Sequence, residues 1–203
     1  TNTFPDTILD NSQILSKSTK IWLHPYNPAE SVVISTDGQG FTIFDLNGAV
    51  LVENRGSGVG DRSSSKPRKR SFGDLDIIYS FPIAEDRLVD LVVFADATNS
   101  ALDFRLINPF NVHKRGIGDV VTGWSKNHTL GKVFAADFVT AYPSPYTGTF
   151  YVFVGGNDAR EIVQQKIFAT AWGRVDSAMV RRIQLPEEGQ LVAMEVDLVT
   201  GYL

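Results

Sequence analysis

Short apolar runs separated by polar turn residues dominate the pattern from Ile21 to Gly48, IWLHPYNPAESVVISTDGQGFTIFDLNG. Val32, Val33 and Ile34 lie between polar residues, and Phe41, Ile43 and Phe44 fill the next run. The breaks are Asp37-Gly38 and Asn47-Gly48, turn dipeptides whose residues tolerate positive φ. The stretch reads as strand, turn, strand, turn, strand, turn. Three short antiparallel strands so close together predict either a blade of a β-propeller or a corner of a sandwich.

Similar apolar runs recur at Ser31 to Ser35, Val89 to Ala95 and Phe150 to Val154, with starts about 60 residues apart. Each is followed by a Gly, Asp or Asn cluster and a second β-rich run: FTIFDL, LDFRLI and EIVQQKIF. Propeller repeats of about 40–50 residues have this rhythm, lengthened here by insertions. Asn157 to Phe168 has the length of a short helix, but Ile162, Val163 and the aromatic that follows equally suit a strand.

Residues 54–71, NRGSGVGDRSSSKPRKRS, break the pattern. Almost without apolar residues, they predict a disordered basic surface loop inserted between strands. Lys69-Arg70 within it is a candidate protease site, because exposed dibasic loops are readily nicked. Asn127-His128-Thr129 is an N-glycosylation sequon. The closing residues DLVTGYL read as a turn leading into an apolar strand, which predicts that further chain, or another chain, completes the sheet.

Composition narrows the chemistry. The 203 residues suffice for one domain with a substantial core. The net charge of −4 argues against nucleic acid as the main partner. There is no cysteine, which excludes disulfides, thiolate metal sites and cysteine catalysis. No apolar run is long enough to span a membrane as a helix. GSGVGD lacks the Lys-Ser/Thr of a P-loop, and no G-x-S-x-G elbow occurs.

The order of several motifs resembles that of the β-propeller phytases. Ile21-Trp22-Leu23-His24-Pro25 is similar to their opening motif, and Phe44-Asp45-Leu46-Asn47-Gly48 to the hairpin of their first blade. Asp74 to Pro82 stands where the family has NNVDvRYgFP. Val89 to Val93 is similar to vDlvaAsnR, and Tyr142 to Val154 to lYhSpkTGkyYafVt. Glu187-Glu188-Gly189 stands where the family has TEG. The resemblance implies an all-β, six-bladed propeller of which this chain, residues 1–203, supplies about the first half.

The resemblance also implies chemistry: hydrolysis of phosphate monoesters of inositol phosphates by calcium ions held on carboxylates. Calcium takes six to eight hard oxygen ligands, and Lys and Arg clamp the phosphates. The family's DDPAIW is replaced by Lys17-Ser18-Thr19-Lys20-Ile21-Trp22, which lacks both acids and brings in two lysines that would repel calcium if they pointed at the same site, and its lysine pair TNKKsG by Asp37-Gly38-Gln39. The arginine of NNVDvRY becomes Ile78, and that of AsNR falls within Ala97 to Ser100 and is absent. What remains is Asp76, Glu188, Asp74 and Asp158, the last aligned with a Lys-Glu pair. Asp76 and Glu188 are candidate calcium ligands, and Asp76 and Asp158 candidate catalytic acids.

Each candidate also has a structural reading. Asp76 suits a turn cap or an acceptor of backbone amides between blades, and Glu188 a surface carboxylate. His24 suits a hydrogen-bonding role, and Trp22, Trp124 and Trp172 blade packing. The chain therefore reads as a secreted, phytase-like propeller that has lost much of the calcium and phosphate site and serves as a scaffold, binding or assembly module. The alternative is a calcium-dependent phosphomonoesterase acting on inositol phosphates. The expected partner is another protein chain, or a C-terminal half, that completes the propeller.

Overall fold

The computed structural model describes residues 16–38, 40–55, 71–115, 117, 136–145, 147–157, 159–186, 191–200 and 202–203, without the side chains of 55, 114 and 115. These residues form three antiparallel meander sheets in chain order. The first holds β1 (Ser18–Trp22), β2 (Val32–Thr36), β3 (Gly40–Asp45) and β4 (Val50–Arg55). The second holds β5 (Phe72–Ala84), β6 (Arg87–Asp96) and β7 (Ala101–Ile107). A short helix, α1 (Val112–Arg115), follows it. The third holds β8 (Phe138–Pro143), β9 (Phe150–Gly155), β10 (Glu161–Ala169) and β11 (Val175–Gln184).

The sheets pack face to face, first on second and second on third, with β1, β5 and β8 as neighbours. Consecutive meanders stacked through their first strands are the arrangement of propeller blades around an axis, and the sheets are named blades 1 to 3 below.

The recurring apolar runs are the second strand of each blade, and the β-rich runs after them the third strand. Their burial differs with position. In β2 buried and half-buried residues alternate, because one face of blade 1 is covered. In β6 the run Leu91 to Ala95 is buried throughout, because blade 2 is covered on both faces. Trp22, Ile34, Phe41, Phe72 and Phe94 fill the seam between blades 1 and 2. Ile78, Phe81, Phe104, Val152 and Val163 fill that between blades 2 and 3. Met194 and Val196 cover Phe153 and Ile162 on the far face of blade 3.

Local chemistry sets the turns and breaks. Gly38 and Gly48 have φ of 79° and 85°, as the two turn dipeptides require. Asp45 locks the second turn by accepting from the Asn47 and Ala49 amides. Gly73 is needed for close approach: a Cβ there would collide with the Asp137 backbone. β5 shifts register between Ile78 and Phe81, where Ser80 is left-handed at φ 53°. Asp90 anchors this bulge, accepting from the Ser80 amide at 2.9 Å and the Trp22 indole N–H at 2.8 Å.

The structure refines several boundaries. Ile162 and Val163 lie in strand β10, not in a helix; Val163 is buried in the seam with blade 2 and Ile162 beneath Met194 and Val196. β4 runs through Asn54 and Arg55, two residues into the segment read as a loop, because they complete the ladder with Phe41 and Gly40. Residues 56–70 of that loop, including Lys69 and Arg70, lie outside the described residues, as do Asn127 and Trp124. Trp22 is fully buried, but Trp172 is 89% exposed, because it sits in the β10–β11 turn away from both sheet faces.

Candidate functional site

The first strands of the three blades converge on a cleft of about 420 Å³ at one end of the axis. Lys17, Lys20, Asp74, Asp137, Asn157 and Glu195 line it. Asp76 borders it through Lys20, whose ammonium lies 3.5 Å from Asp76 Oδ1 and 3.3 Å from Glu195 Oε2. Blade 1 thus reaches both blade 2 and the extended segment that follows blade 3.

Alternation along β5 sets the carboxylates. Leu75 and Ile77 belong to the blade 1 seam, which turns Asp74, Asp76 and Ile78 toward blade 3. Asp76 Oδ2 accepts from the Ala141 amide at 2.7 Å and the Thr140 hydroxyl at 3.3 Å, while Oδ1 accepts from the Ile77 amide at 2.8 Å. Asp74 spans the same seam, with Oδ2 on the Val139 amide and Oδ1 on the Leu75 amide. The Asp74 amide donates back to the Asp137 carbonyl at 2.8 Å. Asp137 in turn accepts from the Asn157 amide at 3.0 Å.

Two groups are electrostatically displaced. Burial works against the Lys20 charge, but Asp76 and Glu195 outweigh it and leave its pKa above the ordinary lysine value. Burial pushes the Asp74 carboxyl up, against the opposing pull of the Ser18 hydroxyl, the Val139 and Leu75 amides and Lys20.

Calcium is a poor fit to this arrangement. It needs six to eight oxygens free to turn toward one point. Among the described residues no three acidic or histidine side chains gather in that way. The oxygens of Asp74 and Asp76 already face backbone amides, and a lysine ammonium stands beside Asp76. Asp158 and Glu188 lie outside the described residues.

Sequence reasoning singled out Asp76 and Asp74 but missed Glu195, Asp137 and Asn157 as neighbours of Lys20. Met194 and Val196 are buried while Glu195 between them is exposed, an alternation that marks an extended segment with Glu195 facing outward. The apolar–charged–apolar order Met194-Glu195-Val196 was the available signal for Glu195.

Two solved structures are similar in fold. Crystal structures of BBS1N in complex with ARL6DN, one soaked with mercury and one with lead, align at 13% and 12% identity with TM-scores of 0.49 and 0.45. They cover 85% and 82% of this chain, which spans 44% of each matched chain. No curated protein matches the sequence. The Phytase family profile matches residues 6–198, nearly the whole sequence and all three blades, and the chain belongs to that family.

Proposed function

We propose that this phytase-family propeller is a secreted, non-catalytic scaffold that binds or assembles with another protein chain. The observation that carries the reading is Lys20, whose ammonium bridges Asp76 and Glu195 at the axis. A fixed cation there repels a calcium ion and occupies the carboxylates that would hold it. Ile78 adds support: it stands where the resemblance puts a phosphate-clamping arginine, yet it is 2% exposed within the blade 2–3 core.

Calorimetry with calcium tests this. The expected result is no tight, stoichiometric uptake of several ions. Such uptake, with phosphate release from phytate that is lost in Glu188→Ala, would overturn the reading.

Family membership favours a second reading, a calcium-dependent phosphomonoesterase acting on inositol phosphates, with Glu188, Asp76 and Asp158 as site residues. Lys17 and Lys20 beside Asn157 would then meet phosphate oxygens. The same two measurements separate the readings.

The proposed partner completes the ring. Ile21, Val33, Phe44 and Val50 are successive cross-strand neighbours on the face of blade 1 turned away from blade 2. Among the described residues no sheet packs on that face. Intact mass of the native protein, with sequencing of any co-purifying chain, tests it. A stable monomer of these three blades alone would defeat it.

A further inference from the structure

At the opposite end of the axis from Lys20, a second cleft of about 750 Å³ opens between blades 1 and 2. His24, Tyr26, Asn27, Glu30, Phe110 and His113 line it, with Pro109. It owes nothing to the axial carboxylates, and its reading does not depend on whether the axial cleft is catalytic.

Its walls are two loops held by named bonds. His24 Nδ1 accepts from the Tyr26 amide at 3.1 Å and the Asn27 amide at 2.9 Å, which puts the ring proton on Nε2. Nε2 then donates to the Pro109 carbonyl at 3.2 Å and lies 3.5 Å from Glu30 Oε2. His113 Nε2 donates to the Glu30 carbonyl at 2.8 Å. Asn27 caps the turn Pro28–Glu30, and its side-chain amide donates to Glu30 Oε1 at 3.2 Å. The Phe110 amide donates to Asn108 Oδ1 at 3.0 Å.

Four rings run from the core to the surface through this cleft. Trp22 meets His24 edge-on at 5.3 Å, and His24 meets Tyr26 edge-on at 6.0 Å. Tyr26 and Phe110 stack at 6.1 Å with planes 21° apart. Tyr26 is 74% exposed and Phe110 77%. Two large rings left open to water on anchored backbone form a prepared contact surface. Glu30 is the only carboxylate lining the cleft among the described residues, and no lysine or arginine lines it there.

We propose that this cleft receives an arginine side chain from a partner polypeptide. A guanidinium stacks flat on an open aromatic face and pairs with a carboxylate through its forked N–H groups. Tyr26 and Phe110 supply the faces, and Glu30, steadied by Asn27, supplies the counter-charge. Lysine is also drawn to a ring face, but as a point charge it neither lies flat on the ring nor forks to the carboxylate.

Titration of the native full-length protein with N-acetyl-argininamide, followed by NMR or calorimetry, tests this. The neutral isostere N-acetyl-citrullinamide serves as the comparison. Saturable binding of the arginine compound is expected, at least fivefold tighter than the citrulline compound. Glu30→Gln and Phe110→Ala should each weaken it at least fivefold, whereas Tyr26→Phe, which keeps the ring, should stay within twofold. Equal binding of the two compounds, an unchanged Glu30→Gln, or no saturable binding by the folded protein would each overturn the proposal.

Discussion

Single residues at the axis divide two contributions that a list of charged pairs would merge. Asp76 accepts two amides and a hydroxyl across or along the blade seam, whereas its contact with Lys20 is reached by water only from the lysine side, where the side chain is 31% exposed, and the other partner of Lys20, Glu195, is 71% exposed. Leaving buried donors without a partner costs about 1–3 kcal/mol each, and an exposed ion pair contributes about 0–1. Asp76→Ala should therefore destabilise by at least about 2 kcal/mol in urea unfolding, and Lys20→Met by less than about 1. The pH dependence has a definite sign. The raised Lys20 pKa means that its contribution is full below the ordinary value of 10.5 and fades as pH rises through the folded value. The stability gap between the native protein and Lys20→Met should close on that alkaline limb. For Asp74 the raised pKa favours the protonated folded form, so its contribution is full below the ordinary value of 3.8 and is lost as pH rises through the folded one. Ser80 is the converse case, a non-glycine held left-handed at an anchored bulge. Ser80→Gly should raise stability by about 0.5–1 kcal/mol, read by the same unfolding measurement.

Strands and turns were legible where the signal is local. The two Gly turns of blade 1 announce their conformation, and the runs of β2, β6 and β9 announce strands. The continuous burial of β6 was not legible, because a run of five apolar residues does not say that two sheets cover it. The Asp74 and Asp76 bonds to blade 3 were hidden for a related reason: their partners lie about 65 residues away, and nothing local encodes the pairing. Arg105 was likewise silent in the sequence. Its guanidinium lies 5.1 Å from the Phe41 ring and near Phe72 and Phe94, with Asp103 at 3.0 Å, at the blade 1–2 seam. One close approach is at Gly73, where the blade 2 backbone meets Asp137 before blade 3. Gly73→Ala should cost about 1–3 kcal/mol and speed hydrogen exchange at the Asp74 amide, whose acceptor is the Asp137 carbonyl.

For the whole molecule, motif order revealed the propeller, while the contents of the axis came from geometry. Lys20 was conspicuous only as a foreign residue in a familiar motif; its bridge to Glu195 joins residues 175 positions apart. If the scaffold reading holds, a calcium chelator should leave the thermal midpoint unchanged within about 1 °C, which differential scanning calorimetry measures, whereas a domain braced by calcium would lose stability by mass action. The reason extends beyond that experiment. A dissolved ion occupies its site only as far as the surrounding fluid supplies it, and it leaves on dilution. The ammonium of Lys20 is tethered to the first strand of blade 1, so its local concentration at Asp76 is set by the length of one side chain. The axial cation in this protein is inherited with the chain, and below the folded pKa of Lys20 its presence does not depend on which metal ions the medium supplies.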